Sequence, residues 1–179
     1  MADRPQQACK VECIGVTKRF GGTVALDRVD VRIIAGRVHA IVGENGAGKS
    51  TLGKAIAGVH QPDEGTIKID EVPVELKSPA AALKRSITMV AQELSLLPGR
   101  SVVDNVFLGI EAGKGGLLAP GADLERFESL VKTHGFKIDP QANVGELSVA
   151  EQQKVEILRA LARDSKVIVM DEPTARLSS

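Results

Sequence analysis

A chain of 179 residues with 23 basic and 23 acidic side chains presents no net charge, which argues against nucleic acid as a partner. Four phenylalanines are its whole aromatic complement, too few for a base-stacking platform. No apolar run approaches membrane-spanning length, residues 1–10 are too polar for a signal peptide, and the length suffices for one core with a smaller appended subdomain.

The first predicted elements are two strands, residues 11–16 and the alternating 29–33, joined through Phe20-Gly21-Gly22. Cys9 and Cys13 lie four apart on the first strand, a spacing of roughly 13 Å along it. That is too far for a disulfide, so both are expected as reduced thiols of a cytosolic protein, and without a nearby histidine they make a poor metal site. Val38-His39-Ala40-Ile41-Val42 reads as a short buried strand. Residues 49–59 read as a helix with Leu52, Ile56 and Val59 on one face.

Between that strand and helix stands Gly43-Glu44-Asn45-Gly46-Ala47-Gly48-Lys49-Ser50, followed by Thr51. It fits the pattern of a glycine, four residues, then Gly-Lys-Ser/Thr. A Gly-rich turn from strand to helix aims backbone N–H groups and the positive end of the helix dipole at one point. That point is an anion site. Glycines are needed because a Cβ would keep the backbone from closing on a phosphate, and because some positions require positive φ. Lys49 can reach the β- and γ-phosphates and the Ser50 hydroxyl can ligate Mg²⁺, so the loop from Gly43 to Thr51 is expected to bind a nucleotide. The plainer alternative is a Gly-rich turn with an incidental lysine.

Farther along, Gln61-Pro62-Asp63-Glu64-Gly65 is strong turn chemistry, and a hairpin of residues 66–70 against 72–76 should follow. Ser78-Pro79 opens a short helix, serine at the cap and proline in the first turn. Residues 87–90 form another predicted strand, ending at Gln92. The character then changes to helices and loops up to Leu147. Residues 122–134 place Leu124, Phe127, Leu130 and Val131 on one helical face with Gly135 as C-terminal cap, while the Gly-rich 111–121 reads as an exposed, mobile loop. A last apolar run, Lys166-Val167-Ile168-Val169-Met170-Asp171-Glu172, reads as a buried parallel strand. Ligands bind at the carboxyl ends of such strands, so Asp171 is expected beside the phosphate loop as a Mg²⁺ ligand and Glu172 as the group that polarises a water. A strand ending in a solvated acidic turn is the alternative.

Leu147-Ser148-Val149-Ala150-Glu151-Gln152-Gln153 begins a helix running to about residue 163. In order and position the three motifs resemble those of ABC-type ATPases, whose signature is matched at the Leu-Ser start and the trailing Gln-Gln. The similarity runs from about Val11 to Leu177. It is closest to ATP-binding subunits of monosaccharide importers of the ribose, galactose and xylose type, on the strength of Ala91-Gln92-Glu93-Leu94, Ser101-Val102-Val103-Asp104-Asn105-Val106-Phe107-Leu108-Gly109 and Val144-Gly145-Glu146-Leu147-Ser148. The resemblance implies an α/β fold, a P-loop NTPase of the ABC type with an N-terminal antiparallel β subdomain and a helical insert. Residues of about 1–92 and 160–179 would form the core, and about 93–159 the helical subdomain carrying the signature.

The resemblance also implies ATP and Mg²⁺ as ligands. Phe20 would stack on adenine, Gln92 would sense the γ-phosphate and join Ser50 and Asp171 at the metal, and Glu172 with Lys49 would be catalytic. From the residues alone Phe20 is as readily an ordinary loop or core aromatic, and Gln92 a plain strand-end amide. The implied partners are a second ABC ATPase domain, in the same chain or a homodimer, contacting through the Ser148 region, and a membrane permease subunit near the segment after Gln92. A periplasmic sugar-binding protein would act indirectly. The implied place is cytoplasmic, peripheral on the inner face of the membrane, with hydrolysis energising sugar import. A soluble ABC-type ATPase outside transport and an ATP-dependent dimerisation module without hydrolysis are the alternatives.

Three departures stand against the family pattern. Val149-Ala150-Glu151 replaces the usual Gly-Gly-Gln, and Ser148 with Glu151 makes a capping-box pattern that would set a carboxylate where a partner's phosphate docks. Ser178 stands near where many relatives carry an aspartate. The family continues with further core strands and a histidine, whereas His39, His60 and His134 all precede Glu172, so the chain is expected to be C-terminally truncated, slow in hydrolysis alone, and prone to self-association through an open sheet edge.

Overall fold

The structure is a computed structural model that describes residues 9–91, 95–114 and 117–172, in two units, Met1–Thr88 and Met89–Ser179. In the first unit β1 (Cys9–Phe20), β2 (Thr23–Ile34), β3 (Glu64–Ile69) and β4 (Val72–Val74) form an antiparallel sheet in the order β2-β1-β3-β4. Along β1, Val11 and Cys13 are buried at period two, and then the parity changes to bury Val16. The change is made at Gly15, where φ is +58° and the β1–β2 register shifts, a β-bulge that one extra residue creates. The Gly15 N–H donates to Asp30 Oδ1 at 2.7 Å, tying the bulge to β2. Gly65 of β3 passes so near that a Cβ there would lie 2.4 Å from the Gly15 carbonyl oxygen, at φ +89°. Only glycine fits.

Two helices complete this unit. The α1 helix (Lys49–Ile56) buries Leu52, Ala55 and Ile56. The α2 helix (Pro79–Leu83) starts as Ser78-Pro79 predicts, with the serine side chain accepting from the Ala81 N–H. Both predicted strands of the first hairpin are longer than their apolar cores suggest, because polar residues on the solvent face of an antiparallel sheet still pair.

Several expectations are corrected. Val38-His39-Ala40-Ile41-Val42 is not a strand: it is irregular, with Val38 99% and Val42 87% exposed. An apolar run becomes a strand only when neighbouring backbones complete its hydrogen bonds, and no strand pairs with it among the described residues. The α1 helix stops at Ile56, where Ala57 caps it and Gly58 turns the chain at φ +71°, so Val59 stands 46% exposed instead of completing the buried face. The predicted mobile loop at 111–121 contains a small hairpin, β6 (Gly113–Lys114) with β7 (Leu117–Leu118), closed by Ala119 N–H donating to Ala112 O at 2.8 Å.

The second unit contains β5 (Ile87–Val90), cut by the boundary between the units, paired with β8 (Val167–Met170). Val167 to Val169 are half-buried and Met170 is exposed, so β8 is less enclosed than a continuous apolar run implies. Helices α3 (Val102–Phe107), α4 (Pro120–His134) and α5 (Val149–Leu161) enclose a core of Val102, Val106, Phe107, Phe127, Val155 and Leu158. The α4 helix ends at Gly135 in the left-handed region, as predicted. The short α3 helix is legible only afterwards: Ser101 caps it by accepting from the Asp104 N–H, and Arg163 closes its other end by donating to the carbonyls of Val106 and Leu108. Burial and the neighbouring Arg159 cation push the Arg163 guanidinium below its ordinary pKa.

Candidate functional site

The loop before α1 is built on positive-φ glycines, Gly46 at +84° and Gly48 at +87°. A Cβ on Gly48 would meet the Ala25 carbonyl oxygen at 2.3 Å and Leu26 Cδ2 at 2.9 Å, so β2 presses the loop against a spot that only glycine can occupy. Ala47 N–H closes a turn onto Glu44 O at 3.2 Å, and Leu52 N–H starts the helix by donating to Gly48 O at 2.9 Å. The Lys49 ammonium donates to Gly43 O at 2.9 Å and Glu44 O at 2.7 Å. That keeps the cation on the loop backbone. The α1 helix starts on Gly48 with no side-chain cap and no acidic residue in its first turn, whereas Ser78, Ser101 and Ser148 cap α2, α3 and α5. The amide donors of the first turn and the positive dipole end therefore lie with one cation and no acidic residue in that turn, a fit to an anionic phosphate chain.

Phe20 ends β1 and pairs with Thr23 across Gly21-Gly22. It is 44% exposed, with the His60 ring edge-on at 5.1 Å and 71° and Lys18 Nζ 5.5 Å from its centroid. The ring belongs to the surface rather than to the core.

Asp171 follows β8 directly, and its N–H donates to Val90 O at 3.1 Å, bringing it to the end of β5. Glu172 is exposed and takes φ +46°, a strained backbone for a glutamate. Gln92 and the tail with Ser178 lie outside the described residues. At the start of α5 the predicted capping box is present. Ser148 Oγ and N–H both donate to Glu151 Oε2, at 2.6 and 3.0 Å. The Ser148 hydroxyl, then the Ser148 amide, holds the Glu151 carboxyl below its ordinary pKa.

Three residues escape a reading of the sequence. Asn105 is fully buried and ties Leu97 by both its N–H and its carbonyl, at 2.7 and 3.1 Å, and Ser101 O at 2.9 Å. Glu156 and Arg159 of α5 hold Ser95. The available signal is a polar residue inside an apolar stretch, Asn105 among Val102, Val103, Val106 and Phe107, and Glu156 between Val155 and Leu158.

Residues 26–175 match the ABC transporter family. The chain belongs to that family. Relatives include the ribose import ATP-binding protein RbsA 3 of Rubrobacter xylanophilus, 48% identical over 92% of this chain. A putative ribose/galactose/methyl galactoside import ATP-binding protein of Ralstonia nicotianae is 48% identical over 95% of it. The chain spans 33% of the length of each. Among solved structures, the ADP conformation of an ATP-binding cassette of an ABC transporter superposes with a TM-score of 0.79 at 30% identity, over 93% of this chain and 70% of that one. A dimeric post-hydrolysis ATP-binding cassette bound to ADP and Pi gives 0.76 at 29%, over 94% and 76%. The fold is accordingly that of an ABC ATPase cassette, an α/β fold with an antiparallel N-terminal sheet and a set of helices. Among the described residues no helix is long and apolar enough to cross a membrane.

Proposed function

We propose that this chain belongs to the ATP-hydrolysing subunit of an importer of small sugars, most simply a monosaccharide of the ribose or galactose class. The observation that carries the reading is the Gly43–Ser50 loop, with Lys49 Nζ held at its carbonyls and Gly48 seated where no Cβ fits. The relatives' names support the sugar class. In this reading residues of about 1–92 and 160–179 form the nucleotide-binding core, and about 93–159 the helical part that carries Ser148.

The amides of residues 46–51 and the Lys49 ammonium hold the β- and γ-phosphates, and Phe20 offers its exposed face to the adenine. The Ser50 hydroxyl, Asp171 and Gln92 are the oxygen donors for Mg²⁺, which when bound neutralises charge on the phosphate oxygens. Glu172 orients a water and accepts its proton as the water attacks the γ-phosphorus, the bond from that phosphorus to the β–γ bridging oxygen breaks, and the bridging oxygen leaves with ADP. Lys49 stabilises the negative charge on the oxygens of the transferring group. Ser148 faces a second ATPase domain, a permease subunit docks near the segment after Gln92, and the assembly works at the inner face of the membrane with a periplasmic sugar-binding protein outside. The capping box supports one refinement. Glu151 engages the donors with which Ser148 would greet the partner's γ-phosphate, so this signature serves the weaker of two sites.

Titrating magnesium-ATP into the folded protein by calorimetry tests the reading, with Lys49→Ala as control. Binding heat in the native sequence and none in the variant is expected. Null heats from both samples defeat it.

A further inference from the structure

The end of β1 is pinned more firmly than an exposed hairpin end requires. Asp63 spends both carboxylate oxygens on it: Lys18 Nζ donates to Oδ1 at 2.8 Å and the Arg19 N–H to Oδ2 at 2.7 Å. The Asp63 amide donates in turn to Thr17 O at 2.9 Å. These bonds fix the three residues that lead into Phe20. The Lys18 ammonium, held by Asp63, lies 5.5 Å from the centroid of the Phe20 ring, and the His60 ring meets that ring at 5.1 Å and 71°. Yet Phe20 remains 44% exposed, so the contacts bury only part of it. They fix the direction of the ring, at a cost in side-chain freedom of Lys18 and His60 that a surface aromatic does not require.

His60 is itself anchored to α1. Its N–H donates to Lys54 O at 3.2 Å, and the Val59 N–H shares that carbonyl at 2.8 Å. The other end of α1 begins at Gly48, which β2 meets at Ala25 and Leu26. The hairpin returns from there to Phe20, whose partner across Gly21-Gly22 is Thr23. Phe20, β2, Gly48, α1 and His60 form a closed circuit within the first unit. A closed circuit of contacts has fixed dimensions, so the ring cannot swing away from the Gly43–Ser50 loop unless one link opens. The Phe20–His60 pair is a link between two side chains, and a substitution can open it without touching the backbone.

We propose that His60 is a positioning residue for base recognition: seated at the end of α1, it holds the Phe20 ring at a set reach from the Gly43–Ser50 loop, so that a ligand joining a purine base to a triphosphate meets both contacts in place. The proposal deepens the nucleotide-binding reading above and rests on it. A ring already oriented loses little rotamer freedom when a base stacks on it, which strengthens binding through the base and leaves the phosphates unaffected.

Calorimetric titration of the full-length protein with magnesium-ATP and, separately, with magnesium tripolyphosphate tests this, because the second ligand has the phosphates without the base. In His60→Ala the Kd for magnesium-ATP should rise about threefold to tenfold, the range an edge-to-face aromatic pair supplies, while that for tripolyphosphate stays within about twofold. His60→Phe, which retains an aromatic edge, should recover most of the loss. In a Phe20→Ala background, replacing His60 by alanine should change the magnesium-ATP affinity by less than about twofold, since the ring it holds is gone. Equal weakening of both ligands, an unchanged affinity for magnesium-ATP, or a full effect in the absence of the Phe20 ring overturns the proposal. A native protein that binds magnesium-ATP no better than tripolyphosphate also overturns it, whereas one that binds neither ligand defeats the nucleotide reading and the proposal together.

Discussion

Gly48 faces the carbonyl oxygen of Ala25 on β2 so closely that a Cβ would lie 2.3 Å from it. The hairpin therefore shapes the Gly43–Ser50 loop from behind. Gly48→Ala adds a backbone clash to a left-handed φ and should cost upward of about 2 kcal/mol in chemical unfolding. Gly46 has a similar φ of +84° with nothing within 4 Å, so Gly46→Ala should carry only the conformational cost of about 1–2 kcal/mol. Equal losses in the two variants would show that β2 does not press on the loop.

Asn105 is buried with its amide spent on Leu97 and Ser101. Asn105→Ala leaves the Leu97 N–H without its acceptor, while the carbonyls of Leu97 and Ser101 keep the backbone donors of Arg100 and Asn105, and should destabilise the second unit by about 1–3 kcal/mol. Asn105→Asp keeps the shape but loses the donors, and should be nearly as harmful. Denaturant midpoints at constant slope measure both, and a loss below about 1 kcal/mol for the alanine variant speaks against the anchor.

Asp63 joins the turn after α1 to β1. Lys18 Nζ, at 2.8 Å, and then the Arg19 amide, at 2.7 Å, hold its carboxyl below the ordinary value of 3.8. A depressed folded pKa means the contribution is complete above the unfolded value and is lost as pH falls through the folded one. Thermal midpoints should therefore decline as pH drops below about 4, and Asp63→Asn should flatten that decline. Parallel curves for the two proteins would assign the acid sensitivity elsewhere.

Glu151 both caps α5 and charges its start. Glu151→Gln keeps an acceptor for Ser148 and removes the charge, while Ala150→Gly lets a phosphate approach. In the proposed pair of ATPase domains they should together raise turnover at the shared site several-fold, at little cost in melting temperature. Turnover that does not change in the assembled pair removes Glu151 from any role in trans.

Some of this was legible from residue order. The Gly43–Ser50 loop, the Ser78-Pro79 helix start, the Gly135 stop and the Ser148–Glu151 box all depend on interactions within a few residues, and their sequence signals are correspondingly sharp. The exposed stretch at 38–42 and the half-buried β8 were misjudged for the opposite reason. Whether an apolar run is covered depends on what lies beside it, and hydrophobicity carries no such information.

What the sequence determines by itself is chemistry: which segments carry glycine-rich turns, carboxylates and caps, because local backbone geometry selects those residue types. Only the tertiary structure decides that Ala25 abuts Gly48, that Asn105 holds Leu97, and that Glu156 and Arg159 seize Ser95 across a separation of more than 60 residues. Such pairings carry no short-range signal, since the entropy of closing the chain between them is offset by burial and by hydrogen bonds formed only after the units have folded.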